Sequence, residues 1–225
     1  MEEEEPLHRL RLHYRKTGIL RFLSHLEISR LFERTVRRAR LPIAFTSGFH
    51  PHAKMAFGTV LPVGWSGEDE YLDLWLEEMP DPDSAAKALG DLLPRGVDLV
   101  RAKYIPLDAP ALMSLPSVAE YRVRLASGSP AGIEEAVRRA LEQEVEIERK
   151  GKRRQYAVSD HLVAARAEED GIGLSVRLHP SGGPRLQEML ETLRRELCAD
   201  WEILEIKRTK ISVEVDGRTV DPLDF

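Results

Sequence analysis

The order of hydrophobic and polar residues at the start of the chain predicts a β-strand followed by an α-helix. From Leu7 to Tyr14 the side chains alternate, with leucine and tyrosine on one side and arginine and histidine on the other, which is the period of a strand. Ser24 is then a typical helix N-cap, and Glu27, three residues later, completes a capping box. We expect this helix to end before Pro42, because proline interrupts helical hydrogen bonding.

The predicted helix is amphipathic. At about 100° per residue, one face is mostly apolar and is formed by Ile28, Leu31, Phe32, Thr35 and Ala39. The opposite face, called the arginine face below, is formed by Arg30, Arg34, Arg37 and Arg38. We therefore expect the apolar face to pack on the sheet and the arginine face to meet solvent or a partner.

The rest of the first half predicts strands around one further helix. Two short strands, at 44–46 and 55–60, flank the loop SGFHPHAK. The remaining elements are a strand at Glu70–Leu76, a helix at Asp83–Leu93 and a strand at Val97–Tyr104. The resulting order, β-α-β-β-α-β, is that of a ferredoxin-like unit.

The second half repeats this order. Around the basic turn KGKRR we predict strands at Val145–Arg149 and Tyr156–Val158, followed by a short helical piece around 160–167. The other elements are a strand at Tyr121–Leu125, a helix at Ala131–Gln143, a strand at Leu174–His179, a helix at Pro184–Leu197 and a strand at Trp201–Val215. We expect an α+β fold of tandem ferredoxin-like (βαββαβ) units with antiparallel sheets. The N-terminal basic domain is placed at 1–105, a Pro-rich linker at 106–118 and the C-terminal domain at 119–225.

The charge of the chain is unevenly distributed. The 225 residues have a formal net charge of -5, which alone argues against nucleic acid. From 7 to 60, however, eleven basic residues face only Glu27 and Glu33, giving +9, and from 61 to 120 twelve acids face four bases, giving -8. A basic segment of this kind attracts phosphates or an acidic protein surface whatever the total charge.

Composition excludes several classes of protein. No apolar run approaches the length of a membrane helix, and the acidic start MEEEE is unlike a secretory leader. With Cys198 as the one cysteine, neither a disulfide within the chain nor a cysteine-based zinc site is possible. P-loop, GxGxxG, GxSxG and HExxH motifs are also missing from the sequence. We expect a cytoplasmic protein without a cofactor of its own.

The segments FLSHLE and TSGFHPHAK hold the densest set of chemically active side chains. His25, His52 and Lys54 are candidates for acid/base catalysis on RNA, in which one group removes a 2′-hydroxyl proton and another protonates the leaving oxygen. Metal binding by His25, His50 and His52 is an alternative, but the spacing is weak and we assign no metal site. A structural reading is equally open, in which the loop and cap residues only shape the turn: Ser24, Ser47, Gly48, Phe49 and Pro51.

Basic side chains in both halves are candidates for RNA contact. Arginine suits bidentate phosphate binding, and the arginine face lacks the alternating charges of an ordinary solvated helix. In the second half the basic turn is as consistent with an exposed hairpin as with nucleic-acid binding. The candidate RNA-binding residues are Arg21, Arg30, Arg34, Arg37, Arg38, Lys54, Lys152, Arg153 and Arg154.

The stretch GILRFLSHLEISRLFERTVRRARLPIAFTSGFHPHAKMAFGTVLPVGWSGEDEYLDLWL resembles the radical-SAM-linked family, a bacterial domain of unknown function that is fused to, or encoded beside, a radical SAM protein. A later Arg208-Thr209 pair and Asp221-Pro222 match the family's closing segment, so the resemblance covers almost the whole chain. This sequence departs from the family pattern at Glu27 for aspartate, His50 for asparagine and Ala53 for proline. The second departure weakens mechanisms that need position 50 and favours those that use His25, His52 and Lys54.

A shorter resemblance covers only the first half. The SH dipeptide, the arginine helix and the SGF loop are similar to the repeat-processing endoribonucleases of CRISPR systems, known as the RAMP fold, which use tandem ferredoxin-like folds and cut RNA without metal. This likeness supports the predicted fold and raises RNA binding, but a shared fold does not establish cleavage.

Three functions follow as hypotheses. The resemblance and the basic segment favour an accessory RNA-binding protein that acts with a radical SAM enzyme in tRNA or rRNA modification or processing. The first alternative is a metal-independent endoribonuclease using histidine acid/base chemistry. The second is a protein-only adaptor whose arginine face docks on an acidic surface of the radical SAM partner.

Overall fold

The computed structural model describes residues 7–198 and 200–224. Over these residues the chain forms two compact units. Unit 1 comprises 7–114 together with 220–224, and unit 2 comprises the described residues of 115–219. The end of the chain therefore groups with the first half, because its residues contact the strands of unit 1.

Unit 1 contains four strands and two α-helices. In chain order these elements are β1 (His8–Lys16), α1 (His25–Arg38), β2 (Met55–Phe57), β3 (Ser66–Leu76), α2 (Pro82–Gly90) and β4 (Val97–Ile105). Short 3₁₀ helices at Gly18–Phe22, Leu112–Ser114 and Pro222–Asp224 complete it. The predicted strands, helices and their order in this half are found, with the first short strand of the loop reduced to isolated bridges at Ile43 and Phe45.

The strands of unit 1 lie in the order β4–β1–β3–β2, and every pair is antiparallel. The register pairs Leu10 with Leu74 and Leu12 with Leu72. Because side chains alternate along a strand, these leucines share one face of the sheet. Both helices cover that face, and its core includes Phe32 of α1 and Leu89 of α2.

The opposite face of the same strands carries buried charge. Asp73 of β3 accepts hydrogen bonds from Arg9 (3.0 and 2.6 Å) and from Arg11 (2.6 and 2.9 Å), and the three side chains are 1%, 3% and 0% exposed. The guanidinium groups also donate to the carbonyl oxygens of Ala109 and Pro222. The residues after β4 and the end of the chain therefore cover this face of the sheet.

The net charge of the basic segment overstates the positive charge on its surface. Arg9, Arg11 and Lys16 are buried, and Lys16 Nζ donates to the Leu23 carbonyl at 3.2 Å. Burial and pairing remove the three from the surface that a partner meets. Eight of the eleven basic residues are left, and the arginine face holds half of those eight.

Unit 2 contains seven strands and three α-helices. In chain order they are β5 (Ser117–Leu125), α3 (Ile133–Leu141), β6 (Glu144–Arg149), β7 (Lys152–Ala157), α4 (Val158–His161), β8 (Leu162–Glu168), β9 (Gly171–Leu178), α5 (Leu186–Leu197), β10 (Ile203–Val215) and β11 (Arg218–Val220). The last residue of β11 already belongs to unit 1. The larger sheet has the antiparallel order β10–β5–β9–β8, with β11 beside β10. The hairpin β6–β7 forms a two-stranded sheet of its own.

Two predictions for this half were wrong. The helical piece at 160–167 is confined to the single turn of α4, and Leu162–Glu168 is a strand that pairs antiparallel with β9. Its alanines favour a helix locally, but pairing with β9 overrides that propensity. The basic turn is also shorter than predicted, because Lys152, Arg153 and Arg154 belong to β7.

The predicted class is confirmed as mixed α+β with antiparallel strands. None of the helices in the described ranges has both the length and the hydropathy of a membrane span.

Candidate nucleic-acid interface

The start of α1 is fixed by the predicted capping box. The Ser24 backbone N–H donates to the Glu27 carboxylate at 2.8 Å, and the Glu27 N–H donates to Ser24 Oγ at 3.4 Å. Hydrogen bonds from the Ser24 side chain and then its backbone hold the pKa of Glu27 below its usual value. Ile28, Phe32 and Thr35 are buried as expected, so the rotation of the helix about its axis is set by its own sequence.

That rotation exposes the whole arginine face. Arg30, Arg34, Arg37 and Arg38 are all exposed. Arg37 pairs with Glu33 at 2.9 Å, and within the described ranges Arg30, Arg34 and Arg38 form no ion pair. Their positive charge is consequently available to a partner that brings its own negative groups.

The loop after α1 carries exposed aromatic side chains beside these arginines. Its base is closed by a hydrogen bond from the Thr46 N–H to the His52 carbonyl (2.9 Å) and by one from the His52 N–H to Thr46 Oγ1 (3.1 Å). The Arg37 guanidinium lies 5.0 Å from the centre of the Phe45 ring, which joins α1 to the base of the loop by a cation–π contact.

Phe49 lies at the tip of this loop and is fully exposed. Ser47, Gly48, His50 and Pro51 are exposed as well. Gly48 has φ +123, and a Cβ there would meet no atom within 4 Å. The glycine is therefore needed for its backbone conformation and not for lack of space. The loop thus projects a bare phenyl ring away from the core of unit 1.

The three candidate catalytic residues have separate surroundings. The His25 ring packs edge-on against Phe57, with 5.0 Å between ring centres, whereas Lys54 Nζ lies 5.7 Å from the Trp75 ring. His52 is exposed at the base of the loop. Across 7–198 and 200–224, no hydrogen bond or ring contact joins any two of His25, His52 and Lys54.

His25 also borders a small cavity of about 20 Å³ with Lys16 and Glu70. That volume fits roughly one water molecule and is too small for a nucleotide. Of the His, Cys, Asp and Glu side chains in the described part of the chain, no three are grouped so as to hold a metal ion.

The remaining RNA-binding candidates lie in two places. Arg21, in the 3₁₀ helix before α1, is half-buried and lies 4.9 Å from the Phe22 ring. In unit 2, Arg153 pairs with Glu148 at 2.9 Å, while Lys152 and Arg154 are on the other face of their hairpin and line a cavity. Strand alternation therefore separates three adjacent basic residues into two groups.

Sequence patterns did not reveal one polar cluster in unit 1. His13 stacks on Tyr71 with 5.0 Å between ring centres and lies 2.8 Å from the Asp69 carboxylate. The Tyr71 hydroxyl donates its one proton to Asp69 at 2.7 Å, and its oxygen lies 3.5 Å from the Asp221 carboxylate. Burial, and then the charge of Asp69, raise the pKa of Tyr71 far above its usual value. Asp221 lies next to this cluster. The one sequence signal for the cluster was the strand alternation, which places His13 on the same side of β1 as Arg11.

Comparison with known families identifies one match that covers most of the chain. A family model described as an uncharacterized protein conserved in bacteria, DUF2344, matches residues 9–179. The matched range includes the arginine face and the loop that carries Phe49. No curated protein matches the chain.

Proposed function

We propose that this chain, which belongs to the DUF2344 family of uncharacterized proteins conserved in bacteria, binds RNA through the arginine face of α1. The observation that carries the proposal is that four arginines are exposed together on one helix, three of them without an ion pair in the described ranges. Guanidinium groups bind phosphate oxygens bidentately, and such contacts supply most of the affinity of a protein for nucleic acid.

The loop beside the arginine face supports RNA rather than an acidic protein. Phe49 is fully exposed and Phe45 is 44% exposed, and exposed rings stack on the unpaired bases of single-stranded RNA. A stacked base contributes roughly 1–3 kcal/mol. Arginines for the backbone and a phenyl ring for the bases together form the chemical pattern of a surface that binds unpaired RNA.

The strand orders support a ferredoxin-like fold for each unit as part of this proposal. In unit 1 the order β4–β1–β3–β2 is that of a βαββαβ unit, and in unit 2 β10–β5–β9–β8 repeats it around the inserted hairpin β6–β7. The helix-free sheet face of unit 1 is covered by the contacts of Arg9 with Ala109 and of Arg11 with Pro222. RNA contact in unit 1 is therefore assigned to the helix side.

We also propose that the chain works as an accessory to a radical SAM enzyme, presenting tRNA or rRNA to it. This part rests on the resemblance of the SHLE helix and the SGFHPH loop to the radical-SAM-linked family. With one cysteine, the chain cannot supply the cluster ligands itself, so the chemistry would belong to the partner enzyme.

Affinity for RNA as a function of salt tests the proposal. We expect purified protein to bind tRNA or rRNA fragments with log Kd rising by about 0.7–0.9 per decade of salt for each phosphate contacted. The triple variant Arg30→Glu, Arg34→Glu, Arg37→Glu should lose this binding. A control with the same change in charge, Arg15→Glu, Arg95→Glu, Arg101→Glu, alters three exposed arginines outside α1 and should retain most of it.

Unchanged binding by the triple variant, or no salt-sensitive affinity in the wild type, would refute RNA binding by α1. The same preparation separates the other two functions. Cleavage with 2′,3′-cyclic phosphate ends, resistant to EDTA and lost in His25→Ala, would establish a ribonuclease. Co-purification of a radical SAM protein that survives nuclease treatment, without RNA affinity, would establish the protein-only adaptor.

A further inference from the structure

Unit 2 contains a cavity of about 530 Å³ between the hairpin β6–β7 and the loop that precedes α5. This volume lies in the range of small-molecule sites. Half of its ten lining residues are basic and none is acidic. The basic ones are Arg149, Lys150, Lys152, Arg154 and Arg185.

The geometry of the hairpin explains why the basic side chains converge. Lys150 and Gly151 both have positive φ, +53 and +73, as the tight two-residue turn between Arg149 and Lys152 requires. Residues that pair directly across the strands share a face, which places Arg149 beside Lys152 and Ile147 beside Arg154. The opposite face pairs Glu148 with Arg153. The acidic residues of β6 therefore point away from the cavity.

One of the five basic residues, Arg149, fixes the shape of the cavity. The Arg149 guanidinium donates to the Gly183 carbonyl at 2.9 Å and to both carboxylate oxygens of Glu188 at 2.8 and 2.6 Å. These bonds tie the hairpin to the loop and to α5. Glu188 neutralises Arg149, while Lys150, Lys152, Arg154 and Arg185 form no ion pair within the described residues. Four positive charges therefore surround one concave space without compensation.

On the other wall of the cavity, the backbone of the loop before α5 leaves room for a ligand to approach closely. Gly182 has φ +87, and a Cβ there would meet no atom within 4 Å. Gly183 lies directly on the buried His161 ring, which a Cβ would approach to 2.3 Å. Burial lowers the pKa of His161, which favours the uncharged form of the imidazole beneath the loop.

We propose that this basic cavity binds the phosphate group of a nucleotide-sized ligand, held by Lys152, Arg154 and Arg185. Uncompensated guanidinium and ammonium groups around a concavity favour a phosphate dianion, and planar guanidinium groups bind its oxygens in pairs. The phosphate belongs either to a free nucleotide or to the phosphorylated end of an RNA. The site lies wholly in unit 2 and does not depend on RNA binding by α1.

Calorimetric titration of the full chain tests the cavity. The probes are inorganic phosphate, adenosine, adenosine 5′-monophosphate and a short oligoribonucleotide with and without a 5′-phosphate. We expect the monophosphate to bind and adenosine not to bind. Arg154→Ala should weaken the binding of the monophosphate by about tenfold or more, which is the usual loss of affinity when a charged hydrogen-bonding partner is removed.

Arg153→Ala is the matched control, because it removes the same charge from the same strand on the face away from the cavity. It should change affinity by less than about twofold, as expected for an exposed charge. Tighter binding of the 5′-phosphorylated oligonucleotide than of the monophosphate identifies an RNA end, and the reverse identifies a free nucleotide. Equal losses in the two variants, or no binding of any phosphorylated probe, would overturn the proposal. The triple α1 variant should bind the monophosphate normally, which keeps this site separable from the α1 surface.

Discussion

Replacing Asp73 with asparagine should destabilise unit 1 strongly. The Asp73 carboxylate is 1% exposed and accepts four hydrogen bonds of 2.6–3.0 Å from Arg9 and Arg11. Oδ2 accepts three of these bonds and Oδ1 accepts one. Asparagine keeps one acceptor oxygen and turns an NH₂ group toward the guanidinium donors, so at least one charge-assisted bond is lost, and three are lost if the NH₂ group takes the place of Oδ2. Each such bond contributes about 1.5–3 kcal/mol, and breaking a buried pair by removing one partner costs about 3–5 kcal/mol. We expect a loss of about 4 kcal/mol in the free energy of unfolding.

Urea titration followed by far-UV circular dichroism and tryptophan fluorescence measures this loss. Trp75 is a local reporter, since the Arg9 guanidinium lies 5.0 Å from its ring. Asp91→Asn is the control, because that carboxylate pairs with Lys87 while 66% exposed, and it should cost less than about 0.5 kcal/mol. A loss below about 1 kcal/mol for Asp73→Asn would show that the two buried arginines do not need this counter-charge.

Three further changes test local features of the fold. Ser24→Ala removes the cap of α1 and should cost about 1 kcal/mol in chemical denaturation, whereas Ser29→Ala within the helix should cost less; equal costs would contradict the capping role. Because burial lowers the pKa of His161, the unfolded chain takes up its proton first as the pH falls below 6.5, so stability declines there. His161→Gln should flatten that decline in pH-dependent melting, and an unchanged profile would contradict it. Gly183→Ala, which places a Cβ against His161, should cost about 1–3 kcal/mol in the same melts.

Local patterns were sufficient for the arginine face. Ser24, Glu27 and the apolar spacing of α1 are contained in fifteen consecutive residues, and the helix they predict has the predicted buried side. The loop with Phe49 follows directly in the sequence. The candidate interface could therefore be predicted from the sequence alone, because helix caps and amphipathic periodicity depend on a few neighbouring residues.

Features that depend on residues far apart in the sequence could not be predicted from local patterns. Arg9 and Arg11 look like surface charge until β1 pairs with β3 and brings Asp73, more than sixty residues away, against them. Leu162–Glu168 has the composition of a helix and becomes a strand only beside β9. The basic cavity of unit 2 likewise needs Arg149 to meet Glu188, thirty-nine residues later. In each case tertiary pairing decides what local propensity leaves open.

Ultraviolet crosslinking of the wild-type protein to cellular RNA, with mass spectrometry of the crosslinked peptides, tests RNA binding by the arginine face most directly. Photochemical crosslinks form where an aromatic ring stacks on a base, so we expect RNA-bearing peptides from α1 and from the loop around Phe49. Phe49→Ala should remove the loop crosslink and leave the fold intact, because the ring is fully exposed. Crosslinks that avoid residues 25–54, or a protein that carries no RNA at all, would contradict the proposed function.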